Sequence, residues 1–454
     1  MNVSRNCFFF MTIVLASSAL SAQQGTSNEK SGVEPAKQAM LISFEQAVSK
    51  AAANQPLILK AEAAVQSAEA RVGQAQSEYM PQMSGQASYN FMNPKQYIDI
   101  GSESVQTYPE NAYDFHLDAG ILVYDFGKRE LKLKLAQNAV NSALIGVDRI
   151  KQNIAYEAAR IYYNLICLKE VVQALDEQIA SLNDLLGSAK KREADGSATH
   201  MDVLIAQIHV RRAANKRTEA ATALVKQKIA LGQIIGLAPD AAFDVTGNYE
   251  LVHETRDEQT LIAIALASRP EMQAALRVEN AEELRQSLAD VGNYPSISMH
   301  GQVGYRNGLL TATDQNANTL TFNWGVGVLM TMPIFDGFRT DKEKEEAAAE
   351  AEVSHQASEE QRRAITIQVL QALQDLSANQ TQAANIQSQV EEAQEVFNMK
   401  KIQYELGAGS TTEYIDALDS LSATKIDNFN AQLKEAQSGL DFRETLGEKI
   451  WFTE

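Results

Sequence analysis

The sequence predicts an α+β membrane protein that combines a long antiparallel α-helical coiled-coil barrel with a transmembrane β-barrel. Three observations lead to this fold class: an internal duplication, two long segments without proline, and four short segments in which apolar and polar residues alternate. Each chain would supply four strands, and a trimer would hold 12 strands in one closed barrel.

The duplication appears in the spacing of prolines, aspartates and glycines. Three intervals, of 25, 71 and 40 residues, occur once in each half of the chain. They are Pro56–Pro81 and Pro270–Pro295, Asp125–Gly196 and Asp336–Gly407, and Gly196–Gly236 and Gly407–Gly447. We therefore predict a first structural repeat at residues 41–236 and a second at 258–450, joined by an equatorial linker at 237–257.

The first residues predict a targeting segment followed by a leader. A short apolar run, Cys7–Leu20, ends at small residues, which is typical of a secretory signal peptide at residues 1–22. Residues 23–40 are small and polar, and we expect a flexible leader there and a short C-terminal tail at 451–454. No later apolar run is long enough for a membrane-spanning helix, so any membrane crossing must use strands.

Each repeat has room for one very long helix. No proline occurs between Gly127 and Ala194 or between Gly337 and Leu406, so each segment can form a helix of roughly 65 residues and about 100 Å. Within these segments, residues at alternating intervals of four and three form a heptad seam, which predicts coiled-coil packing. The seam positions are Ile154, Ala158, Ile161, Leu165, Leu168, Val172, Leu175, Ile179, Leu182 and Leu186, and Ile365, Val369, Ala372, Leu376, Asn379, Ala383, Ile386, Val390, Ala393 and Phe397. Taken alone, the helices fit a structural coiled coil without a transport role equally well.

Four segments alternate apolar and polar residues with the period of a strand. The apolar series are Met83, Gly85, Ala87, Tyr89 and Phe91; Phe115, Leu117, Ala119, Ile121 and Val123; Ile297, Met299, Val303 and Tyr305; and Phe322, Trp324, Val326, Val328 and Met330. They predict two β-hairpins, at about 82–124 and 296–335, with one face for lipid and one for water. Four strands cannot close a barrel, and open edges are costly in hydrocarbon, so other chains must fill them.

The composition narrows the function. A net charge of −18 argues against nucleic acid as a partner. The sequence has no phosphate-binding glycine loop, no zinc-binding helix motif and no nucleophile elbow, and its six histidines lack the spacing of metal ligands. We therefore expect no enzyme, no metal site and no other cofactor.

Several motifs in duplicate resemble those of the outer-membrane efflux protein (TolC) family, over essentially the whole mature chain. They are the strand entries Tyr79–Pro81 and Tyr294–Pro295, the strand-to-helix turns Val123–Gly127 and Pro333–Gly337, and the helix-tip motifs Gly196–Leu204 and Gly407–Ala417. The resemblance implies a homotrimer in the outer membrane of a Gram-negative bacterium, with a helical tunnel in the periplasm. It also implies a periplasmic adaptor (membrane fusion protein), an inner-membrane pump of the RND or ABC type, and passive export in efflux or type I secretion.

The resemblance also implies a closed periplasmic gate. Asp202 and Tyr404 match a hydrogen-bonded pair that holds the inner helices closed, and Glu413 and Asp416 match acidic residues that ring the entrance and select cations. Alternatively, Asp202 and Glu413 only cap their own helices, because Thr199 with Asp202 and Ser410 with Glu413 also form helix-capping patterns.

The residues at the two turns would contact the adaptor, or would simply turn the chain. They are Gly196, Ser197, Gly407, Gly409 and Ser410. The sequence departs from the family pattern where Gly409 replaces an arginine, Met201 a threonine and Glu413 an aspartate, which leaves the contacts of the closed state open. A competing hypothesis is a periplasmic coiled-coil adaptor or scaffold protein without a channel.

Overall fold

The structure is a computed structural model that describes residues 40–238, 241–308 and 318–451. The predicted signal peptide, the leader before Met40 and most of the predicted tail lie outside these residues. The first repeat contains β1 (Met40–Ile42), α1 (Phe44–Asn54), α2 (Pro56–Ser77), β2 (Gln82–Phe91), β3 (Gln96–Ile100), β4 (Glu103–Tyr108), β5 (Asn111–Tyr124), α3 (Lys128–Ala194) and α4 (His200–Ile234). After β6 (Phe243–Val245), the second contains α5 (Glu258–Ser268), α6 (Pro270–Asp290), β7 (Ser296–Arg306), β8 (Thr321–Thr331), α7 (Arg339–Glu405) and α8 (Thr411–Thr445).

The two repeats carry helices of matching length. Helices α3 and α7 each have 67 residues, and α4 and α8 each have 35. At about 1.5 Å per residue, α3 and α7 are each about 100 Å long. Every position of the predicted heptad seam is buried or half-buried. Among the described residues, no helix is both long and apolar enough to span a membrane.

Strands β2, β5, β7 and β8 form one antiparallel sheet in that order. The register brings the predicted apolar series of all four strands onto one face, because Gly85 pairs with Leu117, Leu117 with Val303, and Val303 with Trp324. The opposite face carries polar residues such as Asp118, which pairs with Gln302. The strands β3 and β4 form a separate hairpin that the alternation did not predict.

An aspartate lies just before each long helix, where the chain leaves the sheet. Asp125 Oδ2 accepts from the backbone N–H of Arg129 at 2.8 Å, and Asp336 Oδ2 accepts from the N–H of Thr340 at 3.0 Å. The buried Arg129 guanidinium also donates to the carbonyl oxygens of Leu122, Val123 and Glu78. This set of bonds fastens the end of the sheet to α3.

The helices lie side by side in one layer. Because α3 and α7 are much longer than the others, they have different neighbours at their two ends. Next to the sheet the order is α2, α3, α6, α7, and next to the opposite ends it is α4, α3, α8, α7. Midway along α3, a core forms around the fully buried Tyr156, Tyr162 and Tyr163. The predicted linker contributes β6 to this region, where it pairs in parallel with β1. The buried thiol of Cys167 lies 3.7 Å from Asn430 Oδ1 on α8.

Candidate functional site at the helical tips

Each helical hairpin ends in a tight turn, and the structure brings the two turns together. We call residues 195–199, between α3 and α4, the first tip, and residues 406–410, between α7 and α8, the second tip. Gly196 and Gly407 have φ angles of 75° and 77°, in the left-handed region that glycine adopts without strain. The N–H groups of Ser197 and Ala408 donate back to the carbonyl oxygens of Arg192 and Gln403, at 2.8 and 2.9 Å. These bonds satisfy helix-end carbonyls in the same way at both tips.

Asp202 forms a capping box at the first tip with Thr199, the N-cap residue of α4. Its Oδ2 accepts from the Thr199 N–H at 3.0 Å and from the Thr199 hydroxyl at 2.7 Å, while the Asp202 N–H donates to Thr199 Oγ1. Hydrogen bonds from Thr199 are the main reason that the pKa of Asp202 lies below its usual value, and Thr411 of the other hairpin adds to the effect. The capping alternative is therefore realised at this position.

Glu413, the equivalent residue of the second tip, is only partly engaged in capping. Its N–H donates to Ser410 Oγ at 3.2 Å. Its carboxylate instead pairs with Lys400 of α7, with Nζ 3.2 Å from Oε2 and both side chains partly exposed. A lysine within α7 thus neutralises one of the two predicted ring carboxylates, and sequence spacing alone gave no sign of this pair.

Asp416 lies one turn further along α8 and is exposed. Within the described part of the chain it makes no hydrogen bond or ion pair, so its charge remains available. The next acidic residue, Asp419, differs: Gln178 Nε2 donates to it at 2.7 Å, and His209 Nδ1 lies 3.0 Å away. Because Ser422 also donates to Gln178, this network joins α3, α4 and α8 behind the tips.

Tyr404 is buried at 6% exposure between the two hairpins. Its ring lies 5.5 Å from that of Tyr414, and the Arg192 guanidinium stacks 4.3 Å from its centroid. Within the described part of a single chain, no hydrogen bond joins the Tyr404 hydroxyl to Asp202, whose carboxylate is bonded to Thr199. The two residues lie on neighbouring hairpins at the same end of the molecule, and their role as a gate stays a prediction.

An apolar cluster holds the four helix ends together behind the tips. It combines residues of α3, α4, α7 and α8, namely Leu182, Leu185, Ala206, Ala213, Phe397, Tyr404, Tyr414, Ile415, Ala417, Leu418 and Leu421. The turn residues beyond it are small. Four of the five predicted adaptor contacts are exposed, namely Gly196, Ser197, Gly407 and Ser410, and Gly409 is half-buried. The tips therefore present a surface of small side chains, which we call low-relief, and the packed apolar cluster lies directly beneath it.

The polar face of the sheet carries a second group of titratable side chains. His116 lies between two carboxylates of its own strand, with Nδ1 2.9 Å from Asp114 Oδ1 and Nε2 3.1 Å from Asp118 Oδ2. Across the described ranges, no group of three or more His, Cys, Asp or Glu residues is arranged to hold a metal ion.

A sheet with one apolar face, two helices of about 100 Å and paired tips together define a channel protein of the outer-membrane efflux class. The family model for outer membrane efflux proteins matches residues 47–237 and 261–448. The chain belongs to this family, as the motifs predicted, and it is an outer-membrane protein with its helical tunnel on the periplasmic side. The family and the structural neighbours are channels, not enzymes.

Individual relatives are distant in sequence. The outer membrane efflux protein BepC of Brucella suis biovar 1 is 24% identical over 299 residues, which cover 65% of this chain and 61% of BepC. The chain thus spans about three-fifths of the length of that relative. Two solved structures share the fold. The outer membrane channel CmeC of Campylobacter jejuni has a TM-score of 0.73 and 18% identity, with coverage of 89% of this chain and 85% of CmeC. The outer membrane protein VceC of Vibrio cholerae has a TM-score of 0.74 and 17% identity, with coverage of 90% of this chain and 96% of VceC.

Proposed function

We propose that the chain is one subunit of a homotrimeric exit channel that passively exports substrates in a tripartite efflux pump or a type I secretion system. The observation that carries this proposal is that, within the described part of a single chain, both edges of the sheet and both edges of the helical layer lack a partner.

The sheet edges require neighbouring chains. Among the strands that the structure describes, β2 pairs only with β5, and β8 pairs only with β7. On β8 the apolar side chains Trp324, Val326 and Val328 are 69 to 70% exposed. A sheet with such a face is stable in hydrocarbon only when its edge N–H and C=O groups are paired, since each unpaired group costs several kcal/mol there. Pairing β8 of one chain with β2 of the next satisfies both edges.

The helical edges support the same arrangement. Helix α7 is outermost on one side along the whole layer. On the other side α4 is outermost next to the tips, and α2 takes that position next to the sheet. Helices α4 and α7 each present exposed apolar residues on their free side: Met201, Leu204, Ile208, Val225 and Ile229 on α4, and Val353, Ile367, Val396, Met399 and Ile402 on α7. An apolar stripe along each edge helix is suited to packing against the opposite edge of a second copy. Because the two edges differ, the contact is head-to-tail and closes into a ring.

Three copies account best for the dimensions. Three sheets of four strands give a 12-stranded barrel, which is wide enough for a water-filled lumen lined by the polar face. The tips of all three chains would then converge at the periplasmic end, where Asp202 and Tyr404 would contribute to the gate and Asp416 and Glu413 to the cation-attracting ring.

The partners follow from this placement. The low-relief tips, with Gly196, Ser197, Gly407, Gly409 and Ser410, would contact a periplasmic adaptor, and the adaptor would link the channel to an inner-membrane pump of the RND or ABC type. The pump would choose the cargo, because the exit channel is a shared passive conduit. The relative BepC is named as an efflux protein, which favours efflux over secretion.

The proposal is tested by membrane fractionation, followed by mass determination in detergent and recording in planar lipid bilayers. We expect the protein to require detergent for extraction, to have the mass of three chains, and to form water-filled channels. A periplasmic adaptor or scaffold would be extracted without detergent and would conduct nothing, and either result would overturn the proposal.

A further inference from the structure

We propose that Arg192 fastens the first tip to the second, and that this contact, and not the hydroxyl of Tyr404, controls how easily the two hairpins separate. The Arg192 guanidinium lies 4.3 Å from the centroid of the Tyr404 ring. Its Nη2 donates to the carbonyl oxygen of Tyr404 at 2.7 Å and to that of Glu405 at 3.4 Å. One side chain of α3 therefore holds both the ring and the backbone at the end of α7.

The backbone of Arg192 also organises its own tip. Its carbonyl oxygen accepts from the N–H groups of Ser197 at 2.8 Å and Ala198 at 3.1 Å, and from the Ser197 hydroxyl at 3.2 Å. The same residue is thus bonded to the turn of the first hairpin through its main chain and to the second hairpin through its side chain. Arg192 therefore couples a movement of one tip to the other.

Comparing the two repeats separates the role of the Arg192 side chain from that of its backbone. Gln403 occupies the equivalent position, 211 residues further on, and its carbonyl oxygen accepts from Ala408 and Gly409 in the same way. Within the described part of the chain, the Gln403 side chain makes no hydrogen bond. The main-chain role is therefore common to both residues, whereas of the two only Arg192 also links the hairpins through its side chain.

The contact is favourable on physical grounds. The last carbonyl groups of a helix lack partners within the helix and carry the negative end of its dipole. A guanidinium satisfies them with charge-assisted bonds while its flat face covers an aromatic ring. Since Tyr404 also contacts Tyr414, the guanidinium completes a stack that reaches from α3 across α7 to α8.

The experiment compares substitutions on the two sides of the contact. Arg192→Gln gives the first repeat the residue of the second, Arg192→Lys keeps the charge, Tyr404→Phe keeps the ring, and Tyr404→Leu removes it. Lys191→Gln is the matched control, because it removes a positive charge from the adjacent, exposed position. Amide hydrogen exchange of the detergent-solubilised protein and single-channel conductance in planar bilayers are measured for each variant.

We expect Y404L to raise exchange at Gly407 about fivefold, the change that corresponds to losing one stacked cation at a partly exposed site. R192Q should raise it further, because it also removes the bonds to the carbonyl oxygens of Tyr404 and Glu405. The R192K variant falls between them and the wild type, and Y404F and K191Q match the wild type. The double variant R192Q/Y404L does not exceed R192Q, because R192Q already removes the stacking contact. Exchange in α1, remote from the tips, stays unchanged.

Conductance should follow the same ranking, and only this readout rests on the proposed channel function. If the wild type forms no channel, the proposed function fails while the exchange data still decide the role of Arg192. If Y404F loosens the tips as much as Y404L, or R192Q changes neither readout, the hydroxyl or another group makes the tie and the inference is overturned.

Discussion

The ion pair between Lys400 and Glu413 makes a specific prediction about cations at the entrance. In the wild type, Lys400 Nζ lies 3.2 Å from Glu413 Oε2. Replacing Lys400 by Met removes one positive charge per chain and leaves the Glu413 carboxylate without this partner. In a trimer, the charge of the entrance would become more negative by three. We therefore expect trivalent cations that enter from the periplasmic side to block the channel at lower concentration.

The magnitude follows from Coulomb's law. At a separation of about 10 Å in water, one carboxylate attracts a trivalent ion by about 1.2 kcal/mol. Screening at about 0.1 M salt reduces this to about 0.5 kcal/mol. Three uncovered carboxylates then contribute about 1.4 kcal/mol, which is close to a tenfold fall in the blocking concentration.

The assay is block of single channels in planar bilayers, titrated with a trivalent cation at fixed salt. Lys401→Met is the matched control, because Lys401 is adjacent and exposed but does not pair with Glu413. Adding Glu413→Gln to K400M should abolish the gain. The reasoning is refuted if K400M and K401M shift the block equally, since the effect would then reflect overall charge instead of the uncovered carboxylate.

Three further outcomes are expected. Asp416→Asn should raise the blocking concentration of the same ion about tenfold in the same recordings, by the arithmetic above with the sign reversed; unchanged block would remove Asp416 from the ring. Asp202→Ala should lower the free energy of unfolding by about 1 kcal/mol at neutral pH, because the bonds from Thr199 to the carboxylate, one half of the capping box, are lost. The pKa of Asp202 lies below its usual value of 3.8, so the stabilisation by its carboxylate is complete above that pH and is lost as the pH falls through the lower pKa of the folded state. Denaturant titrations of D202A and wild type should therefore converge in acid, and a constant difference would contradict the capping role. Val326→Arg, on the apolar face, should cost about 2–4 kcal/mol and reduce the yield of assembled protein on gels, whereas Asn323→Arg on the polar face should assemble normally; equal yields would argue against lipid contact.

The sequence predicted the long helices and the four sheet strands because both have a strong period. Met83 to Phe91 alternate without interruption, and the structure has a strand over the same residues, Gln82–Phe91. The heptad seam likewise identifies positions that the structure buries. The short strands β1 and β6 escaped prediction, since three residues are too few to show any period and their pairing joins segments about 200 positions apart.

The side-chain contacts at the tips were harder to predict for a related reason. Spacing shows that Asp202 can cap a helix, and the structure contains that cap. Spacing does not show that Arg192 reaches Tyr404, which is 212 positions away in the chain, or that Lys400 covers Glu413. Such partners depend on how two hairpins lie against each other, which no local pattern records.

The buried Cys167 bears on how such contacts can be studied. Burial raises the pKa of its thiol to about 11, so at neutral pH roughly one molecule in ten thousand carries the thiolate that reacts with maleimides and methanethiosulfonates. A cysteine introduced on an exposed turn therefore reacts far faster than Cys167. Fluorophores or spin labels can be attached there while Cys167 keeps its native packing.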